Sequence, residues 1–123
     1  MTLARILTVD DSASIRLTIN VTLSNAGYSV VEASDGAEGL AAAQQDAFDL
    51  IITDLNMPGM DGLQMIEAIR KQPIGAGVPI IFLSTESDGD VKTQAKAAGA
   101  TGWLTKPFDP ETLIKIVRKV IGR

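Results

Sequence analysis

An α/β fold is expected, a single doubly wound sandwich of five parallel strands with helices on both faces. Three observations predict it. Short apolar runs alternate with helix-like stretches five times along the chain. The runs are apolar continuously rather than at every second residue, as in strands buried on both faces. The chain has 123 residues, of which 46% are hydrophobic and 21% charged, which fits one domain with a real core. Strands that alternate with helices are joined by right-handed crossovers and so run parallel.

The elements follow in order. Ile6 to Val9 is an apolar run that ends at Asp10-Asp11. A helix follows from about Ser12, with Ile15, Ile19 and Leu23 on one stripe and Gly27 as its stop. Tyr28 to Ala33 is the second strand. Gly36 to Gln45 is rich in Ala, Leu and Glu and reads as the second helix. Leu50 to Thr53 is the third strand and meets Asp54. Asn56 to Gly62 is a loop by its Pro and Gly content, with Gly59 and Gly62 as backbone requirements. Leu63 to Lys71 is the third helix, and Gln72 to Val78 a linker of no assigned function. Pro79 to Leu83 is the fourth strand, about Asp88 to Ala98 the fourth helix, and Gly102 to Leu104 the fifth strand. Asp109-Pro110-Glu111 opens the last helix with a cap, a first-turn proline and an acid at the positive end of the helix dipole.

Composition excludes several functions. The chain has no cysteine and no histidine. There is therefore no disulfide framework, thiolate site, histidine-ligated zinc or Ser-His-Asp triad. A net charge of -4 and a pI near 4.7 argue against nucleic-acid binding. No apolar run approaches the roughly 18 residues of a membrane span, and the first residues lack a signal-peptide pattern. A cytoplasmic protein is expected.

In open parallel sheets, ligands bind beyond the carboxyl ends of the strands. Asp10 and Asp11 follow the first strand and Asp54 the third. Ser84 and Thr85 follow the fourth, and Thr105 and Lys106 the fifth, just before Pro107. Three carboxylates, a hydroxyl and an ammonium are thus expected at one edge. Carboxylates so crowded repel, and a divalent cation resolves the repulsion. Few protein oxygens completed by water describe Mg²⁺ better than a closed calcium cage. A carboxylate can be the nucleophile that carries an acyl phosphate, while lysine and serine hold phosphoryl oxygens.

Val9-Asp10-Asp11-Ser12, Asp54 to Gly62, Ser84 and Lys106-Pro107-Phe108 stand in order at these strand ends. Together they resemble the receiver domain of two-component response regulators, over the whole chain, and most closely the stand-alone chemotaxis (CheY) type. The resemblance implies strand order 2-1-3-4-5, the order CheY itself exemplifies. It implies that Asp54 accepts a phosphoryl group from a sensor histidine kinase, CheA-like in a chemotaxis pathway. Asp11, Asp54 and the backbone carbonyl of Asn56 would ligate Mg²⁺, with Asp10 acting through water. Lys106, ahead of a cis bond to Pro107, would orient the phosphoryl group. Ser84 would swing in to bond it, and Trp103 would follow and reshape a binding face.

Several positions depart from that pattern or tune it. Trp103 stands where Tyr or Phe is commoner. Thr85 stands where that family usually carries Ala or Gly, and its β-branch is expected to narrow access for small phosphodonors or attacking water. Asn56 and Glu86 occupy positions that tune self-dephosphorylation. The whole of 1–123 is expected to be the receiver, with no output domain and a protein contact as output. A flagellar motor switch component or a phosphatase are the implied partners of an expected monomer. Leu113, Ile116, Val117 and Val120 form the stripe of the last helix that should pack on the sheet. Ile114 and Ile121 lie off that stripe and, with Trp103, are expected to contribute to a partner surface.

Other functions fit the residues less well. A haloacid-dehalogenase-type phosphohydrolase would need Asp-x-Asp after the first strand and a cap domain. A flavodoxin-like cofactor site would meet Asp10-Asp11, which repels phosphate. A receiver serving as a phosphate sink without an output target is the alternative that stays open.

Overall fold

The structure is a computed structural model. It describes residues 3–55, 57–73, 77–84 and 89–122, and of residues 89–92 the backbone only. The strands are β1 (Arg5–Val9), β2 (Ser29–Ala33), β3 (Leu50–Asp54), β4 (Ile80–Ser84) and β5 (Gly102–Thr105). The helices are α1 (Ala13–Asn25), α2 (Gly36–Gln45), α3 (Gly62–Arg70), α4 (Gly89–Ala97) and α5 (Pro110–Ile121). All strand pairs are parallel, and the sheet order is β2-β1-β3-β4-β5. The expected architecture is the observed one.

Alternate residues of each strand enter opposite cores, which is why the strand sequences are apolar throughout. Leu7, Val9, Ile51, Ile80 and Phe82 join one cluster with Ala43 of α2, Met65, Ile66 and Ile69 of α3, and Ala95 of α4. Ile6, Leu50, Ile52, Ile81 and Leu83 join the other with Ile19 and Leu23 of α1 and Leu113 and Val117 of α5. Each fully buried aliphatic or aromatic side chain contributes about 1.5–3 kcal/mol.

Local capping places the helix starts. Ser12, Asp35, Asp61 and Asp109 are the N-caps of α1, α2, α3 and α5, each accepting a backbone N–H three residues on. Gln64 returns a bond to the Asp61 N–H, completing a capping box. Gly122 ends α5 in the left-handed conformation.

One detail differs from expectation. β3, β4 and β5 each run one residue further, so Asp54 and Ser84 lie inside the paired sheet, Asp54 opposite Leu83 and Ser84 opposite Thr105. Of the residues expected at a partner surface, Ile114, Ile121 and Trp103, none is fully buried, and they pack against different cores beside the edge strand β5. Ile114 and Ile121 are half-buried against the α1/α5 core, whereas Trp103 packs against the α2/α3/α4 core. Among the described residues, the large apolar side chains left exposed are Leu17 and Val21 on α1, and Leu3.

Candidate active site

The carboxyl end of the sheet gathers the acids. Asp10 leaves β1 directly into the α1 cap and is fully buried. Its N–H donates to the Ala33 carbonyl at 3.1 Å, and its Oδ1 accepts the Ser12 N–H at 2.9 Å. Asp54, the last residue of β3, is 7% exposed. Leu55 N–H donates to the Leu83 carbonyl at 3.0 Å, and Gly62 N–H to the Leu55 carbonyl at 3.0 Å. The loop between is thereby closed back on the strand end. Gly62 is required there: a Cβ would drive into the Asp54 carbonyl oxygen and lie 3.1 Å from Phe82. Gly59, at φ 75°, meets a left-handed turn.

Lys106 crosses to these acids from the end of β5. Its N–H donates to the Ser84 carbonyl at 2.8 Å, which continues the β4–β5 ladder by one step. Its Nζ lies 2.9 Å from Asp10 Oδ2 and 3.3 Å from Asp54 Oδ2. The following bond to Pro107 is cis. Burial alone would lower the lysine pKa, but the hydrogen bond and charge of Asp10, with those of Asp54, outweigh it and hold the ammonium above its ordinary value. One cation therefore neutralises part of the acidic charge that burial would otherwise penalise.

Asp11 is the exposed member of the set. Carboxylate oxygens of Asp10, Asp11 and Asp54 lie within 4.8 Å of one another. Octahedral Mg²⁺, with ligands at about 2.0–2.1 Å, holds oxygens about 2.9 Å apart when adjacent and about 4.2 Å when opposite. The donor chemistry is hard oxygen and the spacing is close to that range, so these residues fit the ion.

Ser84 is buried at the same sheet edge. Strand alternation sends it to the face that carries Phe82, in the α2/α3/α4 core. Phe82 is in register with Trp103, and their rings are 6.4 Å apart and tilted at 42°. Ser84, Phe82 and Trp103 thus lie on one face at this end of the sheet, and Asp10, Asp54 and Lys106 meet at the strand ends beside them. The Trp103 indole N–H is buried with no partner among the described residues. Beside the ring, Ala95, Lys96, Ala100, Thr101 and Gly102 line a hollow of about 220 Å³. Asn56, Thr85 and Glu86 lie outside the described residues.

One site-facing residue escapes a reading of motifs alone. Arg16 donates from Nη1 to the Asp10 carbonyl and lies 3.4 Å from Glu32 Oε1. Its position on the Ile15–Ile19 side of α1 was the only signal.

Comparison with known proteins points the same way. Residues 6–118 match the response regulator receiver domain. Protein PilH of Pseudomonas aeruginosa is 35% identical over 120 residues, covering 98% of this chain and 99% of PilH. The chemotaxis protein CheY4 of Vibrio cholerae is 50% identical, covering 97% of this chain and 99% of that one, with TM-score 0.94. The receiver domain of sensor histidine kinase PA1611 from Pseudomonas aeruginosa is 30% identical, covering 99% of this chain and 100% of that one, with TM-score 0.91. That structure is described with a magnesium ion coordinated in its active site cleft.

Proposed function

The chain belongs to the response regulator receiver family, and on that premise we propose that it is a signalling switch phosphorylated on Asp54. The single observation that carries this reading is the Lys106 ammonium shared by Asp10 and Asp54, with Asp11 beside them. A cation next to a strand-end carboxylate is what a phosphoryl acceptor needs and what a mere helix cap does not.

In the proposed reaction an Asp54 carboxylate oxygen forms the new bond to phosphorus. The N–P bond of the kinase phosphohistidine breaks, and its electron pair stays on the ring nitrogen, which then takes a proton. Asp54 is presented for this by β3, whose end is held by β4 and by the return of Gly62. Lys106 exchanges part of its contact with Asp54 for the incoming phosphoryl oxygen and orients it. Asp11, Asp54 and the carbonyl of Asn56 would hold Mg²⁺, and Asp10, with both oxygens already engaged, would reach it through water. When bound, the ion neutralises charge on the phosphoryl oxygens.

The output is a changed surface. Ser84 bonds the phosphoryl oxygen, and Phe82 on the same face gives Trp103 a reason to move with it. The orphaned indole N–H and the hollow beside it leave the ring both a motive and room. Thr85, Asn56 and Glu86 set access and self-dephosphorylation. We place residues 1–123 as a receiver acting through protein contact, as a monomer, in the cytoplasm. Among the described residues no helix is long and apolar enough to cross a membrane. The full-length likeness to a chemotaxis protein supports a CheA-like kinase as donor and a flagellar motor switch component or phosphatase as partner. A phosphate sink is the alternative, distinguished by the absence of any partner selective for the phosphorylated form.

The test is intact mass after incubation with Mg²⁺ and acetyl phosphate, for wild type and Asp54→Asn, with Trp103 fluorescence in parallel. A phosphoryl-sized gain that needs Mg²⁺ and is absent from the variant is expected. Beryllofluoride guards against a short-lived product. No gain, with no fluorescence response to beryllofluoride, would overturn the reading.

A further inference from the structure

Arg16 sits about one turn into α1 and has no part in the chemistry above. Its guanidinium folds back over the first helical turn. Nη1 donates to the Asp10 carbonyl, and Nε lies 3.4 Å from Glu32 Oε1 on β2. Glu32 Oε2 accepts from Asn20 Nδ2 at 2.7 Å, and Asn20 Oδ1 accepts from Ser24 Oγ at 2.7 Å. The Arg16 side chain is 18% exposed and that of Glu32 is 35% exposed. This is a partly desolvated guanidinium held from two sides, unlike a solvated surface arginine.

All the polar groups of Asp10 are therefore engaged: the N–H by Ala33, the carbonyl by Arg16, Oδ1 by Ser12 and Oδ2 by Lys106. The carbonyl matters most for its neighbour. It shares a rigid peptide plane with the Asp11 nitrogen. Pinning that oxygen fixes the plane, and with it the direction in which Asp11 presents its carboxylate. Nothing else among the described residues holds the Asp11 side chain, which is exposed.

We propose that Arg16, oriented by Glu32, is a positioning residue that aims Asp11 and so sets the divalent-cation affinity of the acidic cluster. The inference rests on reading that cluster as a cation site. A group standing behind a metal ligand typically controls 10–100-fold in affinity. Acting through one peptide plane, Arg16 is expected at the lower end, about tenfold.

The experiment titrates Mn²⁺ into the protein by electron paramagnetic resonance, for wild type, Arg16→Met, Arg16→Lys and Glu32→Ala. Amide exchange at Ser12 is recorded without metal. Arg16→Met should raise the half-saturating Mn²⁺ about tenfold and speed exchange at Ser12, whose N–H is held by Asp10 Oδ1. Arg16→Lys, with one nitrogen for two partners, should fall between it and wild type. Glu32→Ala should move both readouts in the same direction, and it carries the test if Arg16→Met does not fold. Unchanged Mn²⁺ affinity in the folded variants would overturn the inference and leave the cation site standing. Absence of Mn²⁺ binding by wild type would overturn both.

Discussion

Thr8 offers a sharp test of how the core is built. It lies in the middle of β1, fully buried, and its hydroxyl has no hydrogen-bond partner among the described residues. Alternation along β1 places it with Ile6 on the α1/α5 face, two residues before Asp10. Thr8→Val keeps the β-branched shape and exchanges the hydroxyl for a methyl group. An unsatisfied buried hydroxyl costs about 1–3 kcal/mol, and a buried methyl adds up to about 0.8 kcal/mol. The substitution should therefore stabilise the fold by about 2 kcal/mol. At about 2.1 cal/mol/K per residue, a chain of this length has an unfolding entropy that turns each kcal/mol into about 4 °C, so Tm should rise by roughly 8 °C. Urea unfolding should show a higher midpoint at unchanged slope. A neutral or destabilising result would refute the reasoning, because it would mean that the hydroxyl is satisfied, as by a buried water.

Three further outcomes concern the site. Lys106→Met should abolish Mg²⁺-dependent phosphorylation of Asp54 in the mass assay. The raised pKa of Lys106 also fixes a pH signature. Its stabilising effect is fully present below the unfolded lysine value of about 10.4 and disappears as pH rises through the higher folded value. The stability difference between wild type and Lys106→Met, followed by urea unfolding, should thus be flat from neutral pH to about 9 and close only above about 10.4. A difference that closes near neutral pH would contradict the ammonium geometry. Gly62→Ala would force a Cβ against the Asp54 carbonyl and Phe82. It should cost about 1–3 kcal/mol in urea unfolding and slow phosphorylation, because the backbone of the acceptor must shift.

Much of the molecule was legible before the structure, for local reasons. Strand and helix periods are properties of a few consecutive residues, so the alternation of Ile6–Val9, Leu50–Thr53 and Pro79–Leu83 with helical stretches was visible directly. The Asp109 cap acts within one turn. The strand-end rule then placed Asp10, Asp11, Asp54 and Lys106 at one edge, and the structure brings those four together. Faces were harder to assign. Ile114 and Ile121 look spare on a helical wheel with a narrow stripe, yet α5 lays them on the α1/α5 core. Trp103 follows strand parity to the opposite side.

The chain by itself thus determined the element order, the double burial of the strands and the inventory of charged groups at their ends. Each follows from short-range sterics and from where apolar side chains can leave water. Only the tertiary structure decided which groups share a charge and at what distance. Lys106 and Asp10 are 96 residues apart in sequence and 2.9 Å apart in space. The Arg16–Glu32 pair and the grouping of Ser84, Phe82 and Trp103 likewise exist only once crossovers have set strands side by side in one register. Hydrogen bonding and Coulomb attraction between such groups fall off over a few ångströms, and those separations are set by the packed sheet.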